Sequence, residues 1–186
     1  MGGHRGGRGA WRRGATVLAA VALAATAGCS STTSTGGSMD PREQLAQRPT
    51  FEEAEKGYLA LLVELRDTID AQAPGLEWQA DAPSQRSRSV CSAPFDTVEG
   101  AENANYSIGR GAKGVVPDER WQATVDAMLV PLREQGFSEV TVLQDEPGAH
   151  QVSVGDPATG ARVEFGTKAG TILTLYGACF LPAQGS

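Results

Sequence analysis

The segment that most constrains this chain is its beginning. Arg5, Arg8, Arg12 and Arg13 precede a largely apolar run from Ala15 to Ala27, and the run ends at Gly28-Cys29. These thirteen residues rise about 20 Å as a helix, short of the ~30 Å hydrocarbon core of a bilayer. The run therefore reads as the hydrophobic region of an export signal and not as a spanning helix. The chain beyond it is expected to fold outside the cytoplasm, where thiols can oxidise.

The exit from the run narrows this further. Thr26-Ala27-Gly28-Cys29 has the form of a lipobox, where bacterial lipoprotein precursors are lipidated and cut. The chemistry needs a thiol, because sulfur takes up the diacylglyceryl group. It needs small residues just before the thiol, so that a peptidase can close on the backbone. Cys29 is the expected lipidation site. Thr26 stands where leucine is usual, with Leu23 further upstream. The competing reading is ordinary secretion with cleavage after Ala27, since Ala25-Thr26-Ala27 fits an A-x-A site. Arg12-Arg13 leaves twin-arginine export open beside the general route. Two or three acyl chains make a lasting anchor, at about 0.8 kcal/mol per buried CH₂. Residues 1–28 are thus expected to be a lipoprotein signal peptide. The protein is expected on the cell membrane, lipid-anchored on the extracytoplasmic face.

Charge supports attachment by lipid. Four of the 16 basic side chains precede Cys29 and none of the 22 acidic ones does, which leaves twelve against 22 and a charge of −10. Nucleic acid is not an expected partner, because its binders carry a basic footprint. Anionic headgroups would repel such a chain weakly.

Residues 29–49 are rich in Ser, Thr, Gly and Pro and read as the lipidated cysteine with a flexible tether, of root-mean-square reach roughly 25 Å. Order is expected from Thr50. Thr50 and Glu53 have capping-box spacing, and Phe51, Ala54, Tyr58, Leu61, Leu62, Leu65 and Ile69 mark one helix face up to Pro74-Gly75. Leu76 to Ala80 is a short strand candidate, residues 81–89 a polar loop, and Asn105 to Gly109 a possible strand. A second helix is predicted from Asp118 to Gln135, with Trp121, Val125, Met128, Leu129 and Leu132 as its stripe and Gly136 as its stop. Pro131 should kink it or tighten its last turn. Four strand-like stretches come next, near 140–144, 151–154, 161–165 and 171–180. The turn residues between them stand at hairpin spacing. The expected fold is α+β: two helices packed on a mainly antiparallel sheet that ends in a four-strand meander, as a single domain over residues 50–183.

With Cys29 assigned to the anchor, Cys91 and Cys179 remain, and in an oxidising compartment they are a disulfide candidate. A redox-active pair would want C-x-x-C spacing. A metal pair would want further ligands, and His150 is the one histidine after Cys29. No metal or cofactor is expected.

Signals for catalysis are sparse. His150 lies next to a predicted turn and reads as a solvated turn residue, not as a base. Glu52, Glu53, Glu55, Glu64 and Asp67 read as solvated helix surface. Gly109-Arg-Gly-Ala-Lys-Gly114 matches G-x-G-x-x-G by letter. The helix after it starts late, however, and the later strands are hairpins, so a glycine-rich loop with two basic residues is the better reading. Trp78, Tyr106 and Trp121 are expected to pack in the core or in a groove.

Taken together, the lipobox, the acidic first helix, Cys91, the segment Trp121…Pro131-Leu132-Arg-Glu-Gln-Gly136-Phe137 and the ending Gly177-Ala-Cys179-Phe-Leu-Pro182 resemble the LppA-like lipoproteins of mycobacteria and related actinomycetes. The resemblance implies a lipid-anchored envelope protein. It maps lipidation onto Cys29 and a disulfide onto Cys91 and Cys179, and it carries over no catalytic residue. Two functions stand as expectations. One is a non-enzymatic module that binds an envelope protein, glycan or lipid. The alternative is an envelope-polymer hydrolase or transferase using acidic residues.

Overall fold

The computed structural model describes residues 39–183. Residues 1–28 and Cys29 lie outside the described residues, as does the first half of the stretch read as a tether.

The helices form where local chemistry favours them. α1 (Pro41–Ala46) starts on Asp40, whose carboxylate accepts from the Arg42 amide, and Pro41 supplies a preset φ at its first position. α2 (Phe51–Gln72) starts on Thr50 with the full capping box to Glu53. α3 (Asp118–Glu134) has no side-chain cap, but Asp118 and Glu119 place negative charge in its first turn. It ends in a Schellman arrangement, in which Phe137 donates to the Leu132 carbonyl, Gly136 donates to Arg133, and Gly136 sits at φ 91°. Pro131 is buried inside α3.

Among the described residues, eight strands form one antiparallel sheet. They are β1 (Glu77–Trp78), β2 (Ser84–Val90), β3 (Glu102–Ser107), β4 (Ala112–Lys113), β5 (Glu139–Glu146), β6 (Ala149–Gly155), β7 (Arg162–Thr167) and β8 (Thr171–Tyr176). The order is β1-β4-β8-β7-β6-β5, and β3 also pairs with β8 and carries β2 on its other side. β5 to β8 are a meander joined by short turns. The fold is thus α+β, with a mainly antiparallel sheet.

Alternation decides the two faces of the sheet. Val152, Val154, Val163, Phe165, Leu173 and Leu175 turn inward and meet Leu62, Leu65 and Ile69 of α2 and Met128 and Leu132 of α3 in one core. Between them, residues such as Gln151, Ser153, Ile172 and Thr174 face away from the helices.

Two segments differ from the reading of the sequence. Order begins nine residues before Thr50, because α1 buries Leu45 to 1% exposure in a small cluster with Cys91 and Ala101. A single leucine gives no periodicity, so this third helix carries no stripe to read. Residues 84–90 are strand β2 and not a loop. All seven are exposed, so Ser-Gln-Arg-Ser-Arg-Ser-Val lacks the alternation that one buried face would impose. Cys91, just after β2, is bonded to Cys179, Cα to Cα 5.8 Å, and this joins the end of β2 to the C-terminal segment.

Candidate functional site

His150 is the second residue of β6, and its ring is engaged on three sides. Its cross-strand partner on β5 is Asp145, whose carboxylate lies 2.8 Å from Nδ1. Nε2 lies 3.1 Å from the carboxylate of Asp118, the first residue of α3. One turn along α3, Trp121 stacks its ring on the imidazole at 5.1 Å between centroids and on Phe165 at 4.9 Å. Asp118 is fixed in turn by the Gly148 amide of the β5–β6 turn, which donates to both carboxylate oxygens.

The expectation of a solvated turn residue is therefore corrected, for His150 is 8% exposed and paired. The turn is only Pro147-Gly148, which leaves His150 inside the strand. The inward parity of Val152 and Val154 carries it under α3.

The arrangement favours the charged form of the ring. Burial pushes the His150 pKa down, but the hydrogen bonds to Asp118 and Asp145 and their negative charges outweigh it, so the net shift is upward. Asp118 is held below its ordinary value by the bond from His150 and the amide of Gly148. With a carboxylate on each ring nitrogen, neither nitrogen is left open to a molecule in the neighbouring space.

Beside this cluster is an open cleft of about 390 Å³ whose lining includes His150, Gln151, Gln79, Arg110, Lys113 and Lys168. Arg110 and Lys113 come from the glycine-rich segment and Lys168 from the β7–β8 turn. The glycines of that segment serve backbone geometry. Gly111 sits at φ 105°, where a Cβ would lie 2.3 Å from the Thr171 carbonyl oxygen. No helix opens on the segment, since β4 and Val115 to Pro117 intervene before α3. The dinucleotide geometry of a strand, a glycine turn and a helix N-terminus is not formed. The two threonines of the cleft are already bonded. The Val116 amide donates to Thr167 Oγ1 at 3.0 Å, and Thr171 Oγ1 donates to the Gly114 carbonyl at 3.1 Å.

The other residues singled out from sequence fall elsewhere. Glu53 caps α2, Glu52 accepts from the Ala183 amide, and Asp67 pairs with Arg66. Trp78 is half-buried, with its indole N–H on Asp70, and Tyr106 is buried in the core. Cys91 and Cys179 stand together in the small cluster around Leu45. Among the described residues no group of His, Cys, Asp and Glu could hold a metal ion, and no helix is long and apolar enough to cross a membrane.

Comparison with known proteins adds family and fold. Residues 28–183 match the LppA family, described as "Lipoprotein confined to pathogenic Mycobacterium". The crystal structure of the lipoprotein LppA from Mycobacterium tuberculosis superposes with a TM-score of 0.60 at 17% identity, over 76% of this chain and 87% of that one. A DUF4853 family protein from Actinomyces odontolyticus gives a TM-score of 0.46 at 18% identity, over 76% and 74% of the two chains. None of the curated proteins compared matches the chain.

Proposed function

The chain belongs to the LppA family of lipoproteins, and on that premise we propose that its folded domain binds an envelope component without transforming it. On this reading acyl chains on Cys29 hold it to the extracytoplasmic face of the cell membrane. The observation that carries the binding role is the state of His150. The one histidine after Cys29 is held between two carboxylates and under an indole, so its ring serves architecture and not proton transfer. The open cleft beside it favours contact with a ligand. A hydrolase or transferase working through acidic groups would want two carboxylates facing each other across a space for substrate. Asp118 and Asp145 do converge, but on the imidazole.

The test uses isolated cell envelopes incubated with the purified full-length chain. The protein is expected to sediment with them and to release no soluble fragments on prolonged incubation. Release of fragments that stops in Asp118→Asn or Asp145→Asn would replace this reading with the enzymatic one. For the anchor, Cys29→Ser is expected to move the protein out of the membrane fraction. Unchanged fractionation would refute lipidation at that residue.

A further inference from the structure

The cations of the domain are unevenly engaged. Arg42, Arg48, Arg66, Arg88, Arg120 and Arg162 donate to carboxylates or carbonyls, and Lys113 lies 3.9 Å from Glu77. Lys56, Arg86, Arg110, Arg133 and Lys168 make no ion pair with any other described residue. Three of these five line two hollows that share residues. Arg110 and Lys168 line the cleft beside His150. Arg110 and Arg86 line an adjoining hollow of about 290 Å³, and Ile172, 40% exposed, lies in both.

We propose that this cleft binds a phosphate-bearing ligand through Arg110 and Lys168. The proposal deepens the binding role argued above and rests on it. In a mature chain of charge −10, most cations find a carboxylate or carbonyl nearby. Two that converge unpaired from separate elements repel each other, and a bound anion removes that cost. Among the described residues no carboxylate lines the cleft, and Asp118 and Asp145 are engaged with His150 and Glu77 with Lys113. Phosphate fits better than carboxylate. One planar carboxylate is satisfied by a single arginine fork, whereas phosphate has oxygens enough to be shared by an arginine, a lysine from a separate turn and the Gln79 amide. The volume suits a headgroup or a short run of phosphates.

The test titrates the full-length chain in nonionic detergent, by calorimetry, with two probes. Sodium tripolyphosphate stands for a soluble or polymeric phosphate. Glycerophosphoglycerol stands for a lipid headgroup without its chains. The preferred probe identifies the source, and saturable binding of either is expected to weaken about tenfold or more in Arg110→Ala/Lys168→Ala. Raising the salt should weaken the wild type more steeply than this variant. Arg133→Ala removes an unpaired cation that lines neither hollow, and it should bind as the wild type does. The proposal is overturned by no saturable binding of either probe, or by equal weakening in Arg133→Ala and the double variant. If both probes fail while the protein still sediments with envelopes, only the phosphate assignment falls. If envelopes release fragments, the binding role itself falls.

Discussion

Trp121 offers the sharpest test of how the site is held, because one ring stacks on two neighbours. It is 7% exposed and stacks on both His150 and Phe165. Replacing it with alanine uncovers about 200 Å² of apolar contact, which at ~25 cal/mol per Å² is about 5 kcal/mol. Measured truncations of this kind cost about 3–5 kcal/mol. The open cleft beside His150 lets water enter part of the void, so a loss of about 4 kcal/mol is expected. That is a large share of the ~5–15 kcal/mol that stabilises a domain. It corresponds to a fall in thermal midpoint of roughly 8–16 °C. Circular dichroism during heating and urea unfolding measures both. Trp121→Phe keeps a ring between the two neighbours and should lose less than half as much. A loss under about 1 kcal/mol in Trp121→Ala, or equal losses in the two variants, would show that the stack does not hold the site.

Three further outcomes are expected. His150 holds its proton more tightly when folded, so its stabilisation is complete below the ordinary value of 6.5 and is lost as pH rises through the raised folded value. Asp118 contributes above its ordinary 3.8 and loses its contribution as pH falls through the lowered folded value, so the pair helps most between those limits; urea midpoints measured against pH should show this hump in the wild type and not in His150→Gln. Reducing the Cys91–Cys179 bond frees a denatured chain closed over 88 residues, and unfolding with and without reductant should differ by about 4–5 kcal/mol. Leu45→Ala should cost about 2–3 kcal/mol and speed proteolysis between residues 41 and 48, whereas equal protection in variant and wild type would mean that α1 is not docked through this side chain.

The meander is legible in the sequence because its turns carry glycine and proline and its strands alternate. α2 and α3 are legible from their stripes and their ends. β2 is not, since neither of its faces is buried and its letters are those of a loop. α1 has a start signal in Asp40-Pro41, but one leucine cannot declare a face. The site is half within reach. Once the turn is placed at Pro147-Gly148, counting outward pairs Glu146 with Ala149 and then Asp145 with His150. Asp118 and Trp121 belong to a different element, and nothing local says over which strand the start of α3 will lie. Gly109–Gly114 has a familiar spelling but reads as a loop from its surroundings, and its glycines answer to close crossings, Gly111 with Thr171 of β8 and Gly109 with Gln79 and Ala80.

The corner where α1 meets the disulfide also has a mechanical consequence. Arg42 donates to the Glu99 carbonyl, Arg48 to that of Cys179, and the Phe51 amide to that of Leu181, while Glu102 bridges Phe180. Both extremities of the described chain are thus moored to one patch. A pull entering through residue 40 would work first against the seat of Leu45 and the bonds of Arg42 and Arg48, and then against the start of α2, which the Leu181 carbonyl holds at Phe51. The Cys91–Cys179 bond keeps the receiving patch in one piece, so α1 can peel while the C-terminal segment stays joined to the end of β2.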